Sequence, residues 1–464
     1  MVEGRIQRPV IDETKCDTCG VCLHQCPAEF LVEYRSETDS IRGAIYRKGR
    51  SLTSFEDEED AFPPCQKACP IGQDVLRYVS LLAEGRLKEA YAAVRETNPL
   101  PAICGLVCHH PCEDACMRGF LDDPVAIRTL KEFLALYGSE KEAKAPHWRK
   151  NRGKKVAVIG AGPAGLAAAH DLAQRGYRPT VFECLPVAGG MLSAGIPPYR
   201  LPRNILQAEI DAILSHNTEL RTGIALGQDF IIEDLHREGY KAVFIATGAH
   251  HSQWLNIEGE SLEGVLGGVE FLRRINLGED IIIGERLAVI GGGNVAIDSA
   301  RSALRHGAKK VSIFYRRTRK EMPAISEEIG EAQREGIRIH WLTTPKAFLG
   351  DNGKLQGIVC VKNRLDQKDA SGRRIPVPIP GSDRVVQADN VIVAIGQETG
   401  AKELGLGIEI SKNGTIPVNP YTAESSVPGI FAGGDVVTGP GWAIDAIAWG
   451  KKAAQGIHAY LSGP

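Results

Sequence analysis

Residues 154–176, KKVAVIGAGPAGLAAAHDLAQRG, carry the pattern from which the fold of this chain is predicted. Four apolar residues at 156–159 predict a buried strand, the run Gly160-Ala-Gly162-Pro-Ala-Gly165 follows it, and an alanine-rich stretch predicts a helix. Glycines at this spacing let a pyrophosphate approach the backbone and the N-terminus of the helix. A second strand ends at Glu183, where a carboxylate can accept a hydrogen bond from a ribose hydroxyl. Together these features predict a dinucleotide-binding domain, which we interpret as the FAD domain.

The pattern recurs about 130 residues later. A strand at 286–290 leads into Gly291-Gly-Gly293-Asn-Val-Ala296 and a further helix. The next strand, at 310–315, ends in Arg316-Arg317-Thr-Arg319 instead of an acid. An acid at this position suits a free ribose 2′-hydroxyl, whereas arginines suit a 2′-phosphate. The second site is therefore predicted to bind NADP(H), and NAD(H) stays open because an arginine pair is weaker evidence than the glycines.

A third feature closes the pattern near the end of the sequence. Residues 429–435, GIFAGGD, form an apolar strand that ends in Gly434-Asp435, and an apolar helix begins at Ala443. Ala246-Thr-Gly248 and Ala394-Ile-Gly396 end two other strands and are interpreted as crossover points between nested domains. We therefore predict an α/β fold of two nested Rossmann-like domains of the glutathione and thioredoxin reductase type. The FAD-binding parts are expected at 153–280 and 391–464, and the NAD(P)-binding domain at 281–390.

Ten of the twelve cysteines lie before residue 117. Cys16, Cys19, Cys22 and Cys26, followed by Pro27, have the C-x2-C-x2-C-x3-C-P spacing of bacterial ferredoxins. A zinc knuckle is less favoured, because zinc sites usually pair two separated C-x2-C arms. In two-cluster ferredoxins the fourth cysteine serves the other cluster, so the partners of Cys26 stay open.

A second set of six cysteines follows: Cys65, Cys69, Cys104, Cys108, Cys112 and Cys116. Residues 72–97 have helical apolar spacing interrupted near Gly85, so helices should bring the cysteines together. We expect a ferredoxin-like segment at 1–50, an α-helical iron–sulfur domain at 51–145, and a polar linker at 139–155. The acidic run at 56–60 is interpreted as a solvated loop, with a docking patch as the alternative.

Composition limits the classes of partner and the compartment. The 464 residues have a net charge of −2, which gives no reason to expect nucleic acid or an anionic membrane surface as a partner. The N-terminus lacks the apolar core of a secretory signal, and no run approaches the roughly 18 apolar residues of a membrane-spanning helix. We therefore expect a cytoplasmic protein without membrane insertion, in a compartment where clustered thiols bind metal.

With these motifs, the sequence resembles the glutamate synthase small-subunit family. That family includes the NADPH-oxidising half of dihydropyrimidine dehydrogenase and the large subunit of NADH-dependent ferredoxin:NADP oxidoreductase. The likeness runs from about residue 60 to the end and is carried by four stretches: NPLPAICGLVC at 98–108, GGMLSAGIPPYRLP at 189–202, YRR at 315–317 with Met322-Pro323, and AIGQ at 394–397.

The resemblance implies that NADPH gives a hydride to FAD, which passes single electrons to the clusters. It assigns Arg316 and Arg317 to the 2′-phosphate, and Met191 and Asp435 to the flavin. No catalytic proton carrier is named, because this transfer requires none. The residues predicted to bind FAD are Gly160, Gly162, Gly165, Glu183, Gly190, Met191, Gly248, Gly434, Asp435 and Ala443. The residues predicted to bind NADP(H) are Gly291, Gly293, Asn294, Val295, Arg316 and Arg317.

Two departures from the family pattern concern the clusters. Asp57 and Asp60 stand where the family usually has a Cys-x2-Cys pair, and no extra ligand can be placed in Leu130-Lys131-Glu132. The loss of two thiolates leaves one cluster in the second cysteine set, and the ferredoxin-like run supplies another. We therefore expect two [4Fe–4S] clusters, with one or three as alternatives.

These features predict an electron-transfer subunit that connects NAD(P)H, FAD and iron–sulfur clusters with ferredoxin or a catalytic subunit. One alternative is a glutamate synthase small subunit that serves a separate large subunit. A thioredoxin reductase-like enzyme is disfavoured, because the remaining Cys184 and Cys360 lie far apart and such enzymes need a close dithiol. A scaffold that binds FAD without hydride transfer is also disfavoured, because the second glycine-rich loop, at 291–296, is intact and predicts nicotinamide binding. Electron bifurcation stays open, because it depends on potentials that spacing does not reveal.

Overall fold

The structure is a computed structural model that describes residues 62–138, 153–215, 217–369, 372–405 and 407–463. The chain divides into two compact units, Met1–Lys144 and Ala145–Pro464. Several expectations lie outside the described residues: the ferredoxin-like set Cys16, Cys19, Cys22 and Cys26, the acidic run with Asp57 and Asp60, and linker residues 139–152.

The described part of the first unit is helical. Its helices are α1 (Pro64–Ala68), α2 (Val75–Ala83), α3 (Leu87–Arg95), α4 (Pro101–Val107), α5 (Pro111–Asp114) and α6 (Ile127–Tyr137), with a 3₁₀ turn at Met117–Phe120. Gly85 separates α2 from α3 in a left-handed conformation, with φ +72°, which interrupts the helical spacing. The apolar faces meet in one core around Tyr78, Val94 and Leu134. This core holds the helix ends that carry the cysteines.

The second unit is α/β. Its strands are β1 (Lys155–Ile159), β2 (Arg178–Glu183), β3 (Glu219–Thr222), β4 (Tyr240–Ile245), β5 (His251–Ser252), β6 (Val265–Gly267), β7 (Arg286–Ile290), β8 (Lys310–Tyr315), β9 (Arg338–Trp341), β10 (Thr343–Asp351), β11 (Lys354–Lys368), β12 (Arg374–Pro378), β13 (Arg384–Gln387), β14 (Asn390–Val393), β15 (Gln397–Glu398) and β16 (Ile430–Ala432). Its helices are α7 (Pro163–Gln174), α8 (Met191–Ala194), α9 (Arg203–Leu214), α10 (Ile232–Arg237), α11 (Gly268–Asn276), α12 (Asn294–Arg305), α13 (Ser326–Arg334), α14 (Asp435–Thr438) and α15 (Ala443–Ser462), with 3₁₀ turns at Arg319–Glu321 and Ala401–Leu404.

Two parallel five-stranded sheets form the framework of the second unit. The first has the order β16-β4-β1-β2-β3 and the second the order β6-β14-β7-β8-β9. The central strands are buried on both faces, as expected when helices cover a parallel sheet. A separate antiparallel sheet of β10, β11, β12 and β13 extends the second domain. The predicted α/β class with two nested dinucleotide-binding domains is thus confirmed.

Two short segments connect the nested domains. β5 and β15 pair antiparallel, with Ser252 opposite Gln397, and carry the chain out of the first domain and back into it. The predicted boundaries at 280/281 and 390/391 differ from this arrangement, because β6 and nearly all of β14 lie outside 281–390 yet belong to the second sheet. These short apolar strands lie directly beside the crossover, so strand patterns do not reveal which sheet they join.

In the part of the chain that the structure describes, no helix has the length and apolar character needed to cross a membrane.

Candidate functional site

The first glycine-rich loop joins β1 to α7 by a close backbone approach. A Cβ on Gly165 would lie 1.9 Å from the carbonyl oxygen of Gly160. Gly160 itself has φ +105°, and a Cβ on it would lie 2.4 Å from the carbonyl oxygen of Ala246. Gly162 precedes Pro163 as the N-cap of α7. Side chains at Gly160 and Gly165 would therefore separate β1, β4 and α7, which meet at this corner.

Glu183 lies at the carboxyl end of β2 and is 4% exposed. Its Oε2 accepts from the backbone N–H of Ala161 at 2.7 Å, and its Oε1 accepts from the N–H of Leu185 at 2.9 Å. The carboxylate is thereby fixed against the glycine loop. Oε1 also accepts from the Cys184 Sγ at 3.4 Å, so Oε2 keeps the lone pair that a further donor such as a ribose hydroxyl can use.

The other predicted flavin residues come from three separate segments. Gly190 approaches the loop, since a Cβ on it would lie 2.9 Å from the Cα of Gly162. Gly434, at the end of β16, packs against Ala164 of α7. Asp435 begins α14, and burial, reinforced by the charge of Asp445, raises its pKa to about 6. The fold therefore brings the Gly190 and Gly434 segments against the first loop and its helix.

Three predicted flavin residues remain. Met191 begins α8 with its side chain towards Gly195, where a Cβ would lie 2.3 Å from the Met191 Cε. Gly248 follows β4 with φ +71°, beside the ring of His250. Ala443 is the first residue of α15, a helix that crosses α7 closely.

The second loop repeats the geometry of the first. A Cβ on Gly291 would lie 2.0 Å from the carbonyl oxygen of Ala394. Gly293 is the N-cap of α12, and no described atom lies within 4 Å of where its Cβ would be. Asn294 accepts from the N–H of Ile325 at 3.0 Å, so its side chain fixes the segment after β8. Val295 packs against Gly268 at the start of α11. An anion can therefore approach the helix N-terminus at Gly293, while Asn294 and Val295 support the loop.

The structure separates the two arginines that were predicted together. Arg316 is exposed at the carboxyl end of β8, where the 2′-phosphate was expected. Arg317 is 3% exposed, and its guanidinium donates to Asp369 at 2.8 Å and to the carbonyl oxygen of Arg374 at 2.7 Å. Its prediction as a 2′-phosphate ligand is therefore not supported by the geometry. The hairpin of β11 and β12, which provides its partners, lies more than 50 residues further along the chain.

A buried ion-pair triad joins the two nested domains. Arg200, in the GIPPYRLP segment of the first domain, donates to Asp298 of α12 at 2.6 Å and to Glu328 of α13. Side-chain exposure is 12% for Arg200, 5% for Asp298 and 12% for Glu328. The guanidinium of Arg305 stacks over the ring of Tyr199, with its central carbon 4.0 Å from the ring centroid. No sequence pattern identifies Asp298 or Glu328 as members of this triad. Arg200 could be singled out from sequence, because it lies in the segment at 189–202 that resembles the family.

The six described cysteines of the helical unit form an inner and an outer group. The inner group is buried and consists of Cys69, Cys104, Cys108 and Cys112. The outer group is half-buried and consists of Cys65 and Cys116. Burial raises the pKa of Cys65 to about 11 and that of Cys112 to about 12. These pKa values describe thiols without a metal, and thiolates become stable here only with cationic ligation.

The residues present fit an iron–sulfur cluster in donor chemistry. Buried thiols among apolar side chains are the ligands of [4Fe–4S] clusters, in which each thiolate binds its own iron. Among residues 62–138 and the other described ranges, no three His, Cys, Asp or Glu side chains are grouped to hold a single metal ion. The other two cysteines that the structure describes lie in the second unit, with Cys184 following β2 and Cys360 buried inside β11.

Two glycine-lined helix N-termini in nested domains, in a chain that also has a cysteine-rich helical unit, define a flavin- and nicotinamide-dependent redox protein. A family model described as pyridine nucleotide-disulphide oxidoreductase matches residues 154–450. A second, described as dihydropyrimidine dehydrogenase domain II, 4Fe-4S cluster, matches residues 60–143. The chain belongs to the pyridine nucleotide-disulphide oxidoreductase family and binds FAD, NADP and a [4Fe–4S] cluster.

Individual relatives agree with this classification. The chain is 45% identical over 424 residues to the NADP(+)-dependent formate dehydrogenase subunit beta of Moorella thermoacetica, covering 86% of this chain and 60% of the relative. It is 33% identical over 422 residues to the glutamate synthase [NADPH] small chain of Azospirillum brasilense, covering 86% of each. The solved structure of Mycobacterium tuberculosis FprA with NADPH superposes with a TM-score of 0.59 over 67% of this chain and 85% of FprA. At 21% identity, that likeness shows the fold alone.

Proposed function

We infer that this chain is the electron-transfer subunit of an NAD(P)H-dependent oxidoreductase complex. The observation that carries the inference is the combination, in one chain, of two dinucleotide loops and a buried cysteine group. The chain spans 60% of the Moorella relative, whose printed name describes a beta subunit. The complete reaction therefore involves a further domain or chain that takes up or supplies the electrons.

In this proposal the residues of the second unit bind and orient the two nucleotides. Gly160, Gly162 and Gly165 allow the FAD pyrophosphate to reach the N-terminus of α7, where the helix dipole favours negative charge. Glu183 accepts from the adenosine ribose, and Asp435 accepts from the ribityl chain. When bound, FAD accepts a hydride as an electron pair and gives up its electrons singly, which suits transfer to iron–sulfur clusters.

On the nicotinamide side, Gly291 and Gly293 admit the pyrophosphate of NAD(P)H to the N-terminus of α12. Arg316 is exposed at the end of β8 and supplies positive charge for a 2′-phosphate. The interdomain triad of Arg200, Asp298 and Glu328 then fixes this domain relative to the flavin domain, so the two nucleotides keep one mutual orientation.

The test is anaerobic reduction of the bound flavin. Wild-type protein mixed with NADPH should lose the visible absorbance of its oxidised flavin. The electron paramagnetic resonance signal of reduced clusters should then appear. Gly293→Val, which fills the open approach to α12, should abolish bleaching by both nucleotides while dithionite still reduces the flavin. If NADPH and NADH both leave wild-type flavin oxidised, hydride entry through this domain is wrong.

We propose a catalytic subunit or ferredoxin as the electron partner. The names of the Moorella and Azospirillum relatives describe subunits, which favours a catalytic chain. The thiol-rich composition favours the cytoplasm, where thiols stay reduced. A second candidate is a glutamate synthase small subunit, favoured by 86% coverage of the Azospirillum chain. Glutamine-dependent NADPH oxidation with an added glutamate synthase large chain supports this second candidate, and reduction of ferredoxin alone supports the first.

A further inference from the structure

Tyr199 and Arg200, two adjacent residues of the flavin domain, contact helix α12 of the NAD(P)-binding domain. Arg200 donates to Asp298 at 2.6 Å. The ring of Tyr199 lies beneath the guanidiniums of Arg301 and Arg305, whose central carbons are 4.8 and 4.0 Å from the ring centroid. Because Asp298, Arg301 and Arg305 are three and four residues apart, they lie on one face of α12. The flavin domain therefore contacts one face of this helix through an ion pair and a stacked ring.

Both ends of this contact lead to a nucleotide site. α12 begins at Asn294, one turn before Asp298, and its N-terminus is the predicted position of the NAD(P)H pyrophosphate. In the flavin domain, the segment that leads to Arg200 begins at Gly190, which approaches Gly162 of the first glycine-rich loop. A shift of Arg200 relative to α12 therefore changes the position of one nucleotide relative to the other.

The backbone between the two domains leaves their mutual position to side-chain contacts. Each of the two connecting segments has a glycine with positive φ, Gly248 at +71° and Gly396 at +152°. A few residues at the ends of strands are enough to form a hinge between domains. A second contact across the junction is made by Asn276 of α11, which donates to the carbonyl oxygen of Ala194 at 2.9 Å. This second contact contains no ionisable group, unlike the contacts of Arg200.

Glu328 is the group of this junction whose ionised form is disfavoured by its surroundings. Its Oε1 accepts from Arg200, and its Oε2 is buried without a hydrogen-bond partner among the described residues. The charged groups that face it are Arg200, Asp298 and Arg301, together with Glu331 on its own helix. Burial raises the pKa of Glu328 to about 7, with Asp298 adding to the effect and Arg200 opposing it. One guanidinium thus holds two carboxylates, and the Glu328 carboxylate takes up a proton near neutral pH.

The protonation of Glu328 is linked to the docking of the two domains. If the flavin domain moved away, water would reach Glu328 and its pKa would return towards the ordinary value of 4.5. A carboxyl group whose pKa is higher in the docked arrangement favours docking when it is protonated and opposes docking when it is ionised. Docking is therefore strongest at low pH and weakens as the pH rises through about 7.

We propose that Arg200 is a positioning residue for hydride transfer, and that its junction with α12 is a proton-dependent contact. The junction holds the NAD(P)-binding domain against the flavin domain when Glu328 carries a proton, and it loosens when Glu328 is ionised. This inference rests on the proposed function, because it adds regulation to the transfer from NAD(P)H to FAD. The proton of Glu328 takes no part in that step, in which NAD(P)H loses a hydride and FAD gains it. Arg200 acts through α12 and not on either nucleotide.

The positioning role is tested by separating nucleotide binding from flavin reduction in the full chain. Arg200→Ala should slow the reduction of the flavin by NADPH, measured by anaerobic rapid mixing, about tenfold or more. Its Kd for NADP+, measured by calorimetry, and its flavin content should change less than about twofold, because the glycine-rich loops are intact. Arg200→Lys keeps the charge and should recover most of the rate. Tyr199→Leu, which removes the stacked ring but no charge, should show the same separation of rate from binding.

A second measurement does not depend on turnover. NADP+ stacked beside a flavin that dithionite has reduced gives a long-wavelength charge-transfer absorbance, which reports the mutual position of the two rings. In the wild type this absorbance should be stronger at pH 5 than at pH 8. Glu328→Gln stays neutral and should keep its pH 5 value at pH 8. Glu327→Gln, on the same helix and exposed, should follow the wild type, and Asn276→Ala should lower the absorbance by the same factor at both pH values.

Three results overturn the inference. An unchanged rate of flavin reduction in both Arg200→Ala and Tyr199→Leu refutes the positioning role. A rise in the Kd for NADP+ that matches the loss of rate refutes it as well, because Arg200 would then contribute to binding. A Glu328→Gln protein with the pH dependence of the wild type refutes the proton-dependent contact. Wild-type flavin that NADPH fails to reduce refutes the proposed function instead, and the charge-transfer measurement still tests the junction, because it requires no hydride transfer.

Discussion

The junction between the two nested domains gives a pH-dependent prediction. One guanidinium, that of Arg200, faces the carboxylates of both Asp298 and Glu328. Burial and the charge of Asp298 raise the pKa of Glu328 to about 7, against the lowering effect of Arg200. Arg301 also faces Glu328, and Glu331 adds a further negative charge. Glu328→Gln imitates the protonated side chain and keeps an oxygen that can accept from Arg200.

The size of this effect on stability follows from the difference between the ordinary pKa of a glutamate, 4.5, and the pKa of Glu328 in the folded protein, about 7. Between pH 4.5 and about 7 the folded protein holds a proton on Glu328 that the unfolded chain has released, so the free energy of unfolding falls as pH rises through this window. Each pKa unit corresponds to about 1.4 kcal/mol, so the ionised carboxylate costs about 3 kcal/mol at pH 8. For the roughly 320 residues of the second unit this corresponds to a Tm difference of about 4 °C.

Thermal unfolding of the flavin-loaded protein, followed by flavin fluorescence at pH 5 and pH 8, measures this effect. Glu328→Gln should match wild type at pH 5 and exceed its Tm by several degrees at pH 8. Glu327→Gln is the control, because Glu327 lies on the same helix and is exposed. A Glu328→Gln protein that is less stable than wild type at pH 8 would refute the reasoning, since the ionised pair with Arg200 would then be net stabilising.

Four further predictions concern the nucleotide sites and the helical unit. Arg316→Ala should raise the KM for NADPH about tenfold or more, as expected for a lost charge-assisted contact, and leave the KM for NADH within twofold. Arg317→Ala should instead lower Tm and change both KM values together, because its guanidinium holds the β11–β12 hairpin; a selective NADPH effect would contradict this. Asp435→Ala should purify with several-fold less FAD, measured by flavin released on denaturation, and full occupancy would argue against a ribityl contact. Gly105→Ala should cost about 1–3 kcal/mol and lower the iron content, because its Cβ would lie 2.6 Å from the α6 backbone, whereas Gly119→Ala, with no described atom closer than 3.9 Å, should resemble wild type.

Local patterns predicted most of the fold. A buried strand, a glycine-rich turn and a helix occupy about 20 consecutive residues, so 154–176 and the stretch from 286 each contain nearly all the information for one βα unit. The gap at Gly85 between two amphipathic helices is equally local. The predicted crossover segments also lie at the ends of strands, but the sheet membership of β6 and β14 depends on long-range pairing and was not predicted.

Charge and burial at the sites were decided by tertiary structure. Arg316 and Arg317 are adjacent and chemically identical in sequence, yet a hairpin more than 50 residues away buries one and leaves the other exposed. A lysine on an amphipathic helix is expected at the surface, yet Lys131 is buried, because α4 and α5 pack against its helix, α6. The two dinucleotide folds and the iron–sulfur chemistry can be predicted from sequence, because residue spacing along the chain encodes them. Which ionisable groups face each other depends on long-range packing, because their partners come from distant segments.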